Sequence, residues 1–159
     1  MDELLKTLKT DAQTPLEDIS KELNLSVAEI KRRIAEYEKQ GVILGYQALI
    51  DPQKINSDTV TAMVEVSITP ERGGGFDRLA SRIAKFEEVQ SCYLVSGGYD
   101  LLVIVEGRNL QEVANFIAEK LSTIKGVIST ATHFRLKGYK ENGVFLHRES
   151  RPQRLAVAP

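Results

Sequence analysis

The segment Thr14 to Gly45, TPLEDISKELNLSVAEIKRRIAEYEKQGVILG, constrains the fold more than any other part of this chain. It predicts two short helices, a tight turn between them and a following strand. Thr14 is placed to cap the first helix, with Pro15 at its first position and Glu17 three after the cap. Ser26 and Glu29 repeat that capping box at the next helix. Asn24 suits the left-handed residue that ends a helix, and Leu25 can plug the corner. Two helices joined by such a turn form a helix-turn-helix, whose second helix enters the major groove of DNA. That second helix carries three consecutive cations, Lys31, Arg32 and Arg33.

Periodicity sets the rest of the first region. Leu4, Leu5 and Leu8 lie at helical spacing within Asp2–Thr10. Leu16, Ile19 and Leu23 form the inner face of a helix over about 15–23. Val27, Ile30, Ile34 and Tyr37 do the same over about 27–40, where Gly41 ends the helix. VILGYQALID then reads as a short hairpin or wing with Gly45 near its tip. Residues 1–50 are thus expected to form a winged helix-turn-helix and 51–59 a linker, opened by Asp51-Pro52.

Beyond the linker the period changes from helical to alternating. Val60, Ala62, Val64, Val66 and Ile68 mark a strand with one buried face. Gly73, Gly74 and Gly75 precede a helix bearing Phe76, Leu79 and Ile83. Strands are expected at Val89–Val95 and Leu101–Val105, separated by the turn signal Ser96-Gly97-Gly98. Asn109 and Glu112 form a third capping box, for a helix carrying Leu110, Val113, Ile117 and Leu121. Ile128, Thr130, Thr132, Phe134 and Leu136 alternate again. The order β-α-β-β-α-β over 60–147 is a ferredoxin-like split unit, so the fold class is α+β. Lys140-Glu141-Asn142-Gly143 resembles a hairpin turn, and Val144–Leu146 can add a fifth strand. Residues 148–159, with Arg148, Arg151 and Arg154, are expected to be a mobile basic tail.

Composition limits what this architecture can do. No apolar run is long enough for a membrane span, and the acidic, amphipathic start does not resemble a signal peptide. The single cysteine, Cys92, leaves no internal disulfide and fits a reducing cytoplasm. The net charge is −1, and eight Lys/Arg face ten Asp/Glu before Ser57, so DNA attraction has to come from local placement and from pooling subunits. In a ferredoxin-like unit two helices cover one sheet face. The apolar residues of Leu101–Val105, with Cys92 or Tyr93, leave apolar side chains for the other face. That favours a homo-oligomer packed through the open face over a half-wet monomer.

A winged helix-turn-helix followed by β-α-β-β-α-β resembles the Lrp/AsnC, or feast/famine, family of transcription regulators. The resemblance covers about 2–146. It is carried by DAQTPLEDISKELNLS, by the RRI of the third helix, and above all by GVILGYQALIDP followed later by SGGYDLL. It implies a first domain that binds double-stranded DNA and a second that assembles dimers and larger assemblies of dimers. It also implies a small effector, commonly an amino acid, near the turn matching SGGYD.

On a helix whose inner face is Val27, Ile30 and Ile34, the outer face holds Ala28, Lys31, Arg32 and Ala35. Lys31 and Arg32 are the candidates for base or phosphate contact; an arginine can bind guanine O6 and N7 with two hydrogen bonds. Arg33 lies farther round and suits phosphate, and Ser26 can add a phosphate bond beside its capping role. The alternative is a solvated face whose arginines pair with Glu29 and Glu36. The N3 capping role is sufficient to explain Glu29. At the second candidate site, Gly97 and Gly98 leave backbone N–H groups open to an effector carboxylate, Asp100 suits its ammonium and Tyr99 can close the pocket. Thr130 and Thr132 can lie across from it. Taken by itself the same loop is a hairpin turn with Asp100 bonding its own backbone; the resemblance tips the reading towards an effector.

Catalytic chemistry finds little support. His133 and His147 have no second ligand at metal spacing, Cys92 sits inside a strand as packing, and the 73–75 glycines lack a phosphate-loop lysine. No cofactor motif is present. Siroheme decarboxylases share the two-domain outline, but their Arg- and His-bearing segment and Trp-containing strand have no counterpart in CYLVSGGYDLLVIV. The expected function is therefore a DNA-binding regulator modulated by a small effector. The alternative is a ligand-sensing assembly protein with vestigial DNA binding.

Overall fold

The computed structural model describes residues 2–52, 54, 55, 58–70 and 75–146. They divide into two compact units between Leu49 and Ile50. The expected basic tail, and parts of the expected linker and glycine loop, lie outside the described residues.

The first unit holds α1 (Glu3–Thr10), α2 (Leu16–Leu23) and α3 (Val27–Lys39). One inward residue per helix, Leu4, Ile19 and Ile30, is fully buried, and Leu8, Leu16, Leu23, Leu25, Ile34 and Tyr37 pack around them. Asn24 ends α2 in the left-handed conformation at φ 52°, which turns the chain so that Leu25 reaches this core. Gly41, at φ +70°, ends α3. The Val42 N–H reaches the Tyr37 carbonyl (2.8 Å) and the Gly41 N–H reaches Glu38 (3.1 Å), the paired bonds of a Schellman ending.

Two local expectations fail here. Thr14 does not cap α2: Pro15 is the capping residue, its carbonyl accepting from Asp18 (3.0 Å) and Ile19 (3.1 Å). The Thr14 hydroxyl instead donates to the Asp11 carbonyl at 2.9 Å. Nor does VILGYQALID form a hairpin: residues 44–50 have no regular structure. The Ile43 N–H bonds back to Tyr37 (3.2 Å) and the Tyr46 hydroxyl donates to Glu38 (3.0 Å), so the segment is tied to α3 rather than folded on itself. Leu44 is left 94% exposed.

In the second unit β1 (Val60–Ile68), α4 (Asp77–Ile83), β2 (Val89–Leu94), β3 (Leu101–Gly107), α5 (Leu110–Asn115) and β4 (Val127–Phe134) follow the expected order. The helix begun by α5 continues through Phe116–Leu121 with a wider turn, in which the Ser122 N–H reaches back five residues to Ile117. The sheet runs β2-β3-β1-β4, antiparallel throughout, which is the ferredoxin-like order. Alternation then divides the side chains. Ala62, Val64, Val66 and Ile68 of β1 and Leu101, Val103 and Val105 of β3 face the helices. They meet Leu79, Ile83, Val113, Phe116, Ile117, Leu121 and Ile124. Asn109 caps α5, its side chain accepting the Glu112 N–H at 2.9 Å.

Residues opposite these in register occupy the other face. Met63 pairs with Ile104, Glu65 with Leu102, and Leu102 with Tyr93. Met63 is 39% and Tyr93 55% exposed, so this face presents apolar side chains to solvent, with Glu65 and His133 3.2 Å apart among them. The end of the described chain departs from expectation. Val144–Phe145 does not extend the sheet but pairs with Lys140–Glu141 as a separate hairpin. Asn142 (φ 47°) and Gly143 (φ 89°) form its turn, the pair of positive φ angles that a two-residue hairpin loop requires.

Candidate nucleic-acid interface and effector turn

The outer face of α3 follows from its inner one. With Ile30 buried and Ile34 packed inward, Ser26, Ala28, Lys31 and Arg32 come out exposed and Arg33 half-buried. Ser26 begins the helix, its hydroxyl oxygen accepting the Glu29 N–H at 3.1 Å. Half of the expected capping box is therefore present. The other half is not, because the Glu29 carboxylate runs along the helix to the arginines. Its Oε2 accepts from Arg32 Nε (3.0 Å), and its Oε1 accepts from Arg32 Nη2 (2.9 Å) and Arg33 Nε (2.9 Å). Arg32 Nη1 also reaches Glu36 at 3.3 Å. For the two Glu29 pairs the spacings of three and four residues, carboxylate first, are those at which helix side chains meet most favourably. Hydrogen bonds from Arg32, then Arg33, hold the Glu29 carboxyl at about 2, against an ordinary 4.5. Capping alone thus does not account for Glu29. The signal for its second role was present in the sequence as a glutamate three and four residues before two arginines. Lys31 forms no ion pair with a described residue.

The second candidate site lies where β2 turns into β3. The Val95 N–H bonds to the Asp100 carbonyl (2.9 Å) and the Asp100 N–H to the Val66 carbonyl (3.1 Å). These bonds close the loop against the central strand. Gly97 sits at φ +148°, where a side chain is strained, and both Gly97 and Gly98 face open space. Among the described residues no backbone carbonyl takes the N–H of Gly97, Gly98 or Tyr99. Asp100 does not bond its own backbone. Its Oδ2 accepts the Ile68 N–H at 2.8 Å, continuing the β1 ladder past Leu101, where β3 begins. One carboxylate oxygen is therefore structural, and the other has no described partner.

Thr130 and Thr132 fall elsewhere. Both point to the helix side of β4 and, with Ala114, Ile117, Ala118, Ser122 and Phe134, line a groove of about 340 Å³ that includes none of Gly97–Asp100. Thr130 shares a hydrogen bond with Ser122 at 3.2 Å. The strand order puts β1 between this groove and β3; Thr130 pairs with Val66, whose other neighbour is Leu101. The threonines and the turn are thus in one row of the sheet but not in one pocket of the single chain. Among the described residues no group of His, Cys, Asp and Glu is placed to hold a metal ion. No helix of the described residues is long and apolar enough to cross a membrane.

Residues 3–43 match a winged helix-turn-helix DNA-binding domain and 61–145 the Lrp/AsnC ligand binding domain. The uncharacterized HTH-type transcriptional regulator YugG of Bacillus subtilis is 44% identical over 158 residues, covering 99% of this chain and 95% of that one. An AsnC family transcriptional regulator from Agrobacterium tumefaciens has a crystal structure that superposes with TM-score 0.67 at 28% identity, over 89% of this chain and 94% of that one. A transcriptional regulator of Neisseria meningitidis, solved in complex with L-methionine, superposes with TM-score 0.69 at 25% identity, over 89% and 93%. Both halves of the chain and their order agree with these relatives: the protein belongs to the Lrp/AsnC family of helix-turn-helix transcription regulators.

Proposed function

We propose that α3 reads double-stranded DNA through Lys31 and Arg32, with Arg33, Ser26 and Ala28 at the phosphate backbone and groove edge. A small effector, an amino acid, then tunes this activity from the turn Gly97, Gly98, Tyr99 and Asp100. The observation that carries the DNA reading is the run of cations, with Lys31 and Arg32 exposed, on a helix that is capped, follows a tight turn and buries its opposite face. The effector reading rests on the N–H groups of Gly97, Gly98 and Tyr99, which no backbone carbonyl of the described residues takes, beside a carboxylate with one oxygen engaged. The Neisseria relative bound to L-methionine supports an amino acid. Thr130 and Thr132 join such a site only if an effector or a second subunit spans the intervening strand. The open sheet face, with Met63, Tyr93, Leu102 and Ile104, supports a homo-oligomer. Such an assembly brings several copies of a nearly neutral DNA-binding unit onto one duplex. The protein acts as a regulator rather than an enzyme, in the cytoplasm with its DNA.

The test is Arg32→Ala. Specific binding is expected to weaken by about ten- to a hundred-fold at matched salt, with the helical circular dichroism retained because the side chain faces outward. Affinity of the parent protein is expected to fall with rising salt through counterion release. Wild-type affinity in Arg32→Ala would overturn the assignment of α3. One observation favours the second reading, an assembly protein with vestigial DNA binding: two of the three cations are occupied by Glu29 and Glu36. Absence of any salt-sensitive duplex binding would decide for it.

A further inference from the structure

We propose that Glu29 is the specificity-determining residue of α3: its carboxylate holds Arg32 and Arg33 away from indiscriminate phosphate contact while leaving Arg32 able to read a base. The inference rests on the assignment of α3 as the DNA-reading helix.

Two things follow from the geometry. The first is charge. Between Ala28 and Lys39 four cations stand against three carboxylates, and Glu29 alone binds two of the four. A DNA phosphate that takes either arginine must displace Glu29 or accept its negative charge close by. Binding without sequence preference comes from phosphate neutralisation, so this pairing lowers that term in particular. Lys31 remains as the exposed point charge for attraction to the backbone.

The second is the direction of the remaining donors. A guanidinium has five N–H bonds. In Arg32 the Nε bond and one Nη2 bond go to Glu29, and one Nη1 bond goes to Glu36. One N–H remains on each Nη nitrogen, and that pair matches the O6 and N7 acceptors of guanine. A neutral base edge can therefore be bound with the Glu29 pair intact, which a phosphate cannot do without facing the carboxylate. Glu29 also lies in the first turn of α3 and draws the guanidinium towards the helix N-terminus, the end from which recognition helices contact base edges. Base reading is thus favoured and phosphate binding penalised by the same carboxylate.

The experiment compares full-length wild type, Glu29→Gln and Glu29→Asp. Two probes are used: a mixed-sequence duplex of about 30 bp, three helical turns, and the tightest duplex selected by the wild type from a random library. Glu29→Gln keeps the length and one acceptor but removes the charge. Its binding to the mixed duplex is expected to tighten roughly five-fold per subunit, the scale of two exposed ion pairs. Its plot of log affinity against log salt is expected to steepen by about one to two, since each added phosphate contact contributes about 0.9. The selected-to-mixed affinity ratio is expected to fall. Glu29→Asp, too short to reach both arginines, is expected to lie between the two. An unchanged salt slope and ratio in Glu29→Gln overturns the proposal while the DNA assignment stands. So does a loss confined to the selected duplex, which would make Glu29 itself a base contact. Failure of the wild type to bind either duplex removes the DNA assignment and this proposal together.

Discussion

Replacing Asp100 tests two roles of one carboxylate, the observed bond to the backbone and the proposed contact with an effector. Its Oδ2 is the acceptor for the Ile68 N–H, and Ile68 is 2% exposed, so no water readily replaces the carboxylate there. Asp100→Ala leaves that N–H without a partner, a cost of about 2 kcal/mol, in the middle of the range for an unsatisfied buried donor. For a domain of this size each kcal/mol lowers Tm by about 4–8 °C, so a fall of about 10 °C is expected by calorimetry at matched protein concentration. Asp100→Asn retains a carbonyl oxygen for Ile68 and removes only the charge. Its Tm is expected to stay within about 2 °C of wild type, the shift from a few tenths of a kcal/mol. Titration of both variants with the twenty common amino acids completes the assay. Loss of effector binding in Asp100→Asn, with the fold intact, assigns the ammonium to this carboxylate. Undiminished binding by Asp100→Asn refutes the ionic role, and wild-type stability in Asp100→Ala refutes the structural one.

The open sheet face and the ion pairs of α3 each allow a further check. Ile104 lies on that face opposite Met63 and Ser91, so Ile104→Arg is expected to dissociate the proposed homo-oligomer while the helix-facing core stays intact; an unchanged mass by light scattering at micromolar concentration would contradict it. The Glu29 carboxyl is expected to titrate near 2 by carbon-detected NMR and to return towards 4.5 in the Arg32→Ala, Arg33→Ala double variant. Because its folded value is depressed, whatever stability it contributes is complete above about 4.5 and lost as pH falls towards 2. A titration at the ordinary value in the wild type would mean that the pairs do not persist in solution.

The elements most legible in the sequence are those whose signals are local. Alternation located β1 because the faces of a strand exchange with every residue. Ser26 and Asn109 announced their helices, since a capping side chain acts within three residues of itself. The elements that misled depend on competition. Thr14 fits a cap, yet its hydroxyl donates to the Asp11 carbonyl, and the helix starts one residue later, with the Pro15 carbonyl accepting from Asp18 and Ile19. The 42–51 segment has hairpin composition, but a hairpin needs a partner strand, and Tyr46 binds α3 instead. Glu29 fits a reciprocal cap, yet two guanidiniums are stronger partners for a carboxylate than one amide. At the Gly97–Asp100 turn the sequence marked Asp100 but could not show that Ile68, thirty-two residues away, claims half of it.

The division between Leu49 and Ile50 also bears on what heat does to this regulator. Among the described residues three side chains are fully buried in the helical unit's core, against fourteen buried in that of the sheet unit. A core that small gives a domain of about fifty residues a marginal reserve, and two separate cores need not melt together. Warming would then release the operator before it dissolves the scaffold. A chain that loses its reading head first is expected to give up promoter occupancy on brief warming, without any effector, while the sheet unit is still folded.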